Sequence, residues 1–364
     1  MTYNILFLPG DGVGAEVIAG VKKIAKWIEL EHGINFEIEE DLIGGSSIDA
    51  HGVPITDAVI SKAKSADAVM LGAVGGSKWD NLPFSKKPET GLLSLRKALD
   101  CFANIRPAVC FDCLKYQSSL RPELITGLNV LFVRELSGGV YFGEPRGIVE
   151  LENNKGRRAF NTDTYTTDEV RRVARVAFSL SKNRSSHVCS MDKANVMEVG
   201  QLWREEVQWV HDNEFQETTL SHMYIDNGAM QLIRQPSQFD VVLTSNLFGD
   251  IITDCSAMLT GSLGMLPSAS IGDKINKHNG YHGLYEPVHG SAPDIAGLDI
   301  CNPIGGILSF AMMMRLSFNL DQIASLIENK VKSTLEKGIR TIDITGNEDI
   351  VPCSTSGMIR SLLE

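Results

Sequence analysis

The sequence predicts an α/β chain built as two domains. Three observations carry that expectation. Strand-like and helix-like segments alternate through the first hundred residues, which implies a parallel sheet covered by helices. The chain has 364 residues, 43% of them hydrophobic and 22% charged, enough for more than one core. It also shows no internal repeat and no low-complexity linker, so it is expected to cross between its domains more than once.

The elements follow in order. Residues 4–8 contain the apolar run Ile5-Leu6-Phe7-Leu8 and predict a strand, and 13–31 predict a helix. Residues 34–41 read as a strand, 56–64 as a helix and 68–72 as a strand. Residues 72–91 are rich in Gly, Pro and polar side chains and predict an ordered functional loop. Asn-Val-Leu-Phe-Val-Arg-Glu-Leu at 129–136 reads as a buried strand. The polar stretch 145–168, with Lys155, Arg157 and Arg158, reads as a projecting arm or long loop. Strand and helix then alternate through 187–261, and a loop-rich stretch at 272–303 precedes two or three helices. The apolar run at 304–314 is broken by Gly305-Gly306 and ends at Arg315, too short to span a bilayer.

Composition excludes some functions. With 45 acidic and 34 basic residues the formal charge is −11, which argues against nonspecific nucleic-acid binding but leaves room for a local cationic pocket. The seven cysteines are scattered and odd in number, as expected of reduced cytosolic thiols. Cys110 and Cys113 form a lone C-x-x-C with no second pair or nearby His to complete a site, so both are expected to be buried or half-buried thiols. No basic region followed by an apolar stretch and a small-residue cleavage site opens the chain, so a cytoplasmic location without membrane attachment is expected.

Five stretches carry candidate chemistry. "PGDGVGAEV" at 9–17 satisfies the loose dinucleotide fingerprint as Gly10-x-Gly12-x-x-Ala15, and Glu29 lies near the spacing of a ribose-binding acid. In "ETGLLSLRKALDCFANIRP", 89–107, Arg96 and Arg106 flank an apparent helix, and Arg134 ends the strand at 129–136. Three arginines in an acidic chain suit a carboxylate pocket, though surface ion pairs are the simpler reading of their spacing. In "SNLFGDIITDCSAMLTG", 245–261, Asp250 and Asp254 share one helix face, where their repulsion would be reversed by Mg²⁺ or Mn²⁺. Asp226, ending the apparent strand "HMYID", offers a third carboxylate; dipole stabilisation of Asp250 and solvation of Asp254 explain the pair equally well. In "SMDKANVMEVGQLWREEVQWV", 190–210, Lys193 stands at a strand-to-helix junction, ahead of Val196, Val199, Trp203, Val207 and Val210 at helical spacing. Such a lysine is a base if burial or a cation lowers its pKa, and otherwise an exposed charge. "YEPVHGSAPDIAGLDICNP", 285–303, gathers Glu286, His289, Gly290, Asp294, Gly297 and Asn302 in a turn-rich segment that reads as a binding loop, with Asp294 suited to ribose hydroxyls.

These stretches occur together and in this order, with "GGSKWD", "NIRP", "RELSGGVYFGEPRG" and "DKANVME" between them. In combination they resemble the isocitrate/isopropylmalate dehydrogenase family of β-hydroxyacid oxidative decarboxylases, from Gly10 to the C-terminal region. Ala15 and Ser77 depart from that pattern, standing where the family often has proline. The resemblance implies a two-domain fold with a mixed parallel and antiparallel sheet, not a Rossmann fold. It implies a discontinuous cofactor-side domain of 1–101 plus 261–364, and a dimerisation and substrate/metal domain of 102–260. The fingerprint at 9–17 then becomes a strand-to-helix turn, with Val13 near the nicotinamide. Adenosine contacts fall on Glu286, His289, Gly290, Ser291, Ala292, Asp294, Ile295 and Asn302.

Further expectations follow from the same resemblance. Asp250, Asp254 and, from the other subunit, Asp226 would hold the divalent cation. Lys193, also from the other subunit, would act as or relay to the base, and Tyr141 would protonate carbon. Arg96, Arg106 and Arg134 would hold carboxylates. Leu92 and Leu93, with Val196 opposite, would receive an isopropyl group, burial of which is worth roughly 0.8 kcal/mol per carbon. Oxidation of 3-isopropylmalate with NAD in a homodimer sharing its active sites, a step of leucine biosynthesis, is the expected function. The interface is expected at the apolar stripe after Lys193 and at residues 257–259. Sister enzymes acting on tartrate, malate or homoisocitrate are the near alternative, and a non-catalytic nucleotide-binding module the distant one.

Overall fold

A computed structural model describes residues 1–152, 156–346 and 350–364. Lys155, read as part of the arm, lies outside the described residues. The strands are β1 Thr2–Gly10, β2 Asn35–Glu40, β3 Ala68–Ala73, β4 Ala103–Val109, β5 Asn129–Glu135, β6 Gly147–Glu150, β7 Arg157–Phe160, β8 His187–Asp192, β9 Thr219–Tyr224, β10 Val241–Thr244, β11 Pro267–Ile271 and β12 Leu284–Pro287. The helices are α1 Gly14–His32, α2 Gly45–His51, α3 Asp57–Ser65, α4 Pro88–Ala98, α5 Pro122–Ile125, α6 Thr167–Ser181, α7 Glu198–Glu214, α8 Ile225–Arg234, α9 Asn246–Thr260, α10 Ile304–Leu316, α11 Asp321–Glu336 and α12 Thr355–Leu363.

The chain divides into two compact units. The first comprises Met1–Cys101, Arg106–Gly127 and Ala257–Glu364, and the second Phe102–Ile105 and Leu128–Ser256. Residues 106–127, placed in the second domain by the sequence reading, pack with the first. Ser118 Oγ donates to the Met258 carbonyl at 2.9 Å and Arg340 Nη2 to the Cys113 carbonyl at 2.7 Å, which fastens that loop to the end of α9 and to the segment after α11.

In the first unit β1 pairs in parallel with β2 on one side and β3 on the other, and β3 pairs in parallel with β12. β11 and β12 run antiparallel, so the sheet is mixed. The middle strands β1 and β3 are apolar runs, as strands covered on both faces must be. α10 is buried around most of its circumference, from Ile304 to Met314, because it packs on β11, β12, α1 and α11. The apolar run at 304–314 is thus a core helix. No helix among the described residues is long and apolar enough to cross a membrane.

In the second unit β5, β10, β8 and β9 lie side by side in parallel. α6 opens with a reciprocal cap: Thr166 Oγ1 accepts from Glu169 N, and Glu169 accepts from Thr166 N at 2.8 Å. α6 and α7 pack together, and Phe178 of α6 and Trp203 and Val207 of α7 are fully buried. That packing corrects the expected interface: Trp203, Val207 and Val210 are core residues of their own unit, and of 257–259 only Met258 is exposed. The arm is a two-stranded antiparallel ribbon, β6 with β7, exposed along most of its length.

Candidate active site

In the first unit the turn 9–13 is tied on three sides. Asp11 is buried, and its carboxylate accepts from Gly45 N at 2.8 Å, Ser46 N at 2.8 Å and Gly75 N at 2.9 Å. Burial raises the Asp11 pKa against the pull of those three donors. Gly12 has φ +55°, and a Cβ there would fall 1.9 Å from the Ser291 carbonyl oxygen, which accepts from Val13 N at 2.8 Å. Of the two fingerprint glycines, Gly12 therefore serves backbone approach to the loop at 289–297, and Gly10, at φ +72°, approach to the Ala73 carbonyl of β3. Glu29 is occupied structurally: it accepts from Phe36 N at 3.2 Å and pairs with Lys26.

That loop is stitched to α1 a second time, where Gly297 N donates to the Glu16 carboxylate. Val13, Val17 and Cys301 make a small buried cluster on which Ala292, Ile295 and Ala296 pack. Glu286 lies in β12, not in the loop as the sequence reading had it. Asn302 accepts from Ile304 N and donates to Asp343, both at 3.0 Å, and so caps the start of α10. Asp294 and Gly290 are exposed, and Ser291 is buried. His289 Nδ1 sits 2.9 Å from the Gly290 carbonyl, while its buried Nε2 has no hydrogen-bond partner among the described residues. Burial lowers the His289 pKa, so the neutral ring presents Nε2 as an acceptor.

Arg96 and Arg106 do not flank a helix. Arg96 is in the last turn of α4, and Arg106 is a buried residue of β4. Leu92 and Leu93 are half-buried, one turn before Arg96 on the same helix. Arg96 Nη2 donates to Glu286 Oε1 at 2.6 Å.

In the second unit Arg134 is buried at the end of β5. Its Nε and Nη2 donate to Asn246 Oδ1 at 3.1 and 2.7 Å, and Nη1 pairs with Asp250. Asn246, the first residue of α9, donates to the Gly138 carbonyl at 3.0 Å. Tyr141 OH donates to Asp250 Oδ2 at 3.0 Å. Burial, with Asp250 beside it, raises the Tyr141 pKa and keeps the phenol protonated at neutral pH. Asp254 is exposed one turn further along α9.

Lys193 sits in the turn between β8 and α7, and its Nζ donates to Asp226 Oδ1 at 2.6 Å. Asp226 does not end a strand; it is the second residue of α8, and its hydrogen bond from Lys193 lowers its pKa. Val196 precedes α7 and is 67% exposed, so it is not part of that helix's apolar stripe. The lysine turn is held by buried Asp192, which accepts from Ala194 N at 2.9 Å and from both ends of the Arg204 fork at 2.9 Å.

Asp11, Asn246, Asp192 and Arg204 were given no role in the sequence reading. Asp11 and Asp192 stand beside residues that were singled out, each at a strand end before a turn. Arg204 had no local signal, because its partner is twelve residues away across the α7 packing.

The donor chemistry fits the expected groups in part. Asp250 and Asp254 are carboxylates one turn apart on α9, as a hard divalent cation requires. Among the described residues no three His, Cys, Asp or Glu side chains lie together as a metal site, because Asp226 of this chain is on α8, paired with Lys193. On the cofactor side, the partnerless His289 Nε2 and the open space at Gly290, where an added Cβ would meet no atom within 4 Å, leave an acceptor and room for a ligand. The cysteines are all free; burial pushes Cys110 up to about 11 and raises Cys113 too, as inert thiols require.

On this mixed α/β fold the first unit carries Arg96 and Arg106, and the second carries Arg134, a tyrosine donating to a carboxylate and a lysine–aspartate pair. The chain belongs to the isocitrate/isopropylmalate dehydrogenase family, whose model matches residues 4–360. It is 58% identical to 3-isopropylmalate dehydrogenase of Cereibacter sphaeroides, over 98% of this chain and 96% of that one. It is 57% identical to 3-isopropylmalate dehydrogenase of Pelagibacter ubique over the same shares. Among solved structures, isocitrate dehydrogenase from Methylococcus capsulatus superposes with a TM-score of 0.85 at 27% identity, covering 99% of this chain and 98% of that one. A beta-decarboxylating dehydrogenase from Thermococcus kodakarensis gives 0.77 at 32% identity, covering 99% and 95%.

Proposed function

We propose that the chain catalyses the NAD-dependent oxidative decarboxylation of 3-isopropylmalate to 2-oxoisocaproate in leucine biosynthesis, with Mg²⁺ or Mn²⁺, as a cytoplasmic homodimer. The observation that carries the substrate is the face of α4: Leu92 and Leu93 stand one turn from Arg96, so one helix offers apolar surface beside a carboxylate donor. A third carboxylate against that leucine pair would be buried unpaired, which is unfavourable. The relatives named 3-isopropylmalate dehydrogenase point the same way.

When bound, NAD⁺ supplies the hydride acceptor, and a cation held by Asp250, Asp254 and Asp226 of the partner subunit supplies charge stabilisation at the substrate oxygens. Arg96, Arg106 and Arg134 bind and orient the carboxylates. Lys193, serving the partner's site, takes or relays the proton of the 2-hydroxyl at Nζ. After hydride loss and release of CO₂, Tyr141 gives its phenolic proton to carbon. Asp294 accepts from both hydroxyls of the adenosine ribose and repels a 2′-phosphate.

The dimer reading is supported by apolar side chains left exposed on the second unit: Met230 and Ile233 of α8, Ile251 of α9, and Ile148 and Val149 of the arm. The test is NADH formation with Mg²⁺ or Mn²⁺ across a panel of 2-hydroxy diacids and triacids. The highest kcat/KM is expected with 3-isopropylmalate, and a higher value with isocitrate, malate or tartrate would refute the assignment.

A further inference from the structure

Arg96 and Glu286 come from distant parts of the sequence, α4 and β12, and meet in the first unit. Arg96 Nη2 donates to Glu286 Oε1 at 2.6 Å, with 13% and 9% of the two side chains exposed. A buried guanidinium needs a counter-ion, and one fixed on a strand is positioned better than one on a loop. β12 is such a strand, paired in parallel with β3 and antiparallel with β11. The Glu286 carbonyl is held as well, accepting from Ser309 Oγ of α10 at 2.9 Å. Arg96 Nε is buried and has no hydrogen-bond partner among the described residues. A guanidinium presents five donors in a planar fork, so fixing Nη2 on Glu286 fixes the plane in which the remaining donors point.

We propose that Glu286 is a positioning residue for substrate recognition: it holds Arg96 in one orientation, leaving the rest of the fork for a carboxylate of the 2-hydroxy acid. This departs from the sequence-based placement of Glu286 among the adenosine contacts, and it rests on the function proposed above. Glu286 touches the arginine and reaches the substrate only through it.

The test is the variant Glu286→Gln in the full-length enzyme, with both Michaelis constants measured. Gln keeps the size and an acceptor oxygen but loses the charge. The expected result is a ten- to hundred-fold rise in KM for 3-isopropylmalate, with KM for NAD⁺ changed less than twofold. Combining Glu286→Gln with Arg96→Gln should add little to the effect of Arg96→Gln alone. A rise confined to KM for NAD⁺ would overturn the proposal and make Glu286 a cofactor ligand. Equal rises in both constants, or no change in either, would overturn it too. Should Glu286→Gln fold poorly, Glu286→Asp supplies the same comparison with the charge kept and the reach shortened by one methylene; additive effects with Arg96→Gln would then be the refuting result. If the unmodified enzyme prefers another 2-hydroxy diacid, the functional reading fails by itself, and the pair is judged by the same constants on that diacid.

Discussion

Replacing Asn246 with Ala isolates the clamp that holds Arg134. The side-chain oxygen of Asn246 is the shared acceptor for Arg134 Nε and Nη2, at 3.1 and 2.7 Å, and its nitrogen donates to the Gly138 carbonyl at 3.0 Å. Asn246 is fully buried, so water does not replace either partner. Losing a hydrogen bond to a charged group costs about 1.5–3 kcal/mol, and an orphaned buried carbonyl about 1–3 kcal/mol. The fold should therefore lose about 3–5 kcal/mol. Arg134 keeps its pairing with Asp250 but loses the contact that sets the plane of its fork. With 3-isopropylmalate, NAD⁺ and Mn²⁺, kcat/KM should fall on the order of 10- to 100-fold, at about 1.4 kcal/mol per decade. Asn246→Asp keeps the acceptor oxygen and loses the donor, so its stability should fall while its kinetic loss is smaller than that of Ala. A folded Asn246→Ala enzyme with kcat/KM within threefold of the unmodified value would refute the view that this residue orients Arg134.

Three further outcomes are expected. Gly12→Ala places a Cβ 1.9 Å from the Ser291 oxygen at a φ of +55°, so the bond from Val13 N to Ser291 must break; isothermal titration should show NAD⁺ affinity reduced by roughly tenfold or more. His222, His282 and His289 all have pKa values lowered from 6.5, with burial the largest cause. Each is neutral in the fold while the unfolded chain takes up a proton below about 6.5, so stability is present above that pH and is lost as pH falls toward the folded-state values. Thermal melts between pH 8 and 5 should show this decline, and His282→Gln should make it shallower; an unchanged slope would count against the burial argument. Asp294→Lys combined with Ile295→Tyr should shift cofactor preference from NAD toward NADP, read as the ratio of kcat/KM values, whereas an unmodified enzyme using both cofactors equally would remove the role given to Asp294.

Much of the molecule was legible in the residues themselves. Continuous apolar runs mark β1, β3 and β5, because a strand covered on both faces buries successive residues, and a spacing of three to four marks α1, which buries one face. The spacing of Asp250 and Asp254 places them on one helix face, and the structure has both on α9. The density of turn residues at 285–303 marks a loop, since Gly, Asn and Asp are the types that tolerate its conformations, but its first three residues belong to β12.

What only the tertiary structure decided is everything that depends on contacts between distant segments. The chain order places Arg96 and Glu286 190 positions apart, and only the pairing of β12 with its neighbours brings that carboxylate to the guanidinium. The apolar stripe of α7 looked available for a partner, but α6 covers it, and a hydrophobic stripe reads the same whether its cover comes from its own chain or another. Val196 fitted the same spacing, yet the chain does not become helical until Glu198, because Lys193 to Met197 form the turn that Asp192 holds. The fingerprint at 9–17 was ambiguous for the same reason. A glycine at positive φ is required wherever backbone must come close, and the sequence does not say whether the close neighbour is a phosphate or, as here, the carbonyl of Ser291.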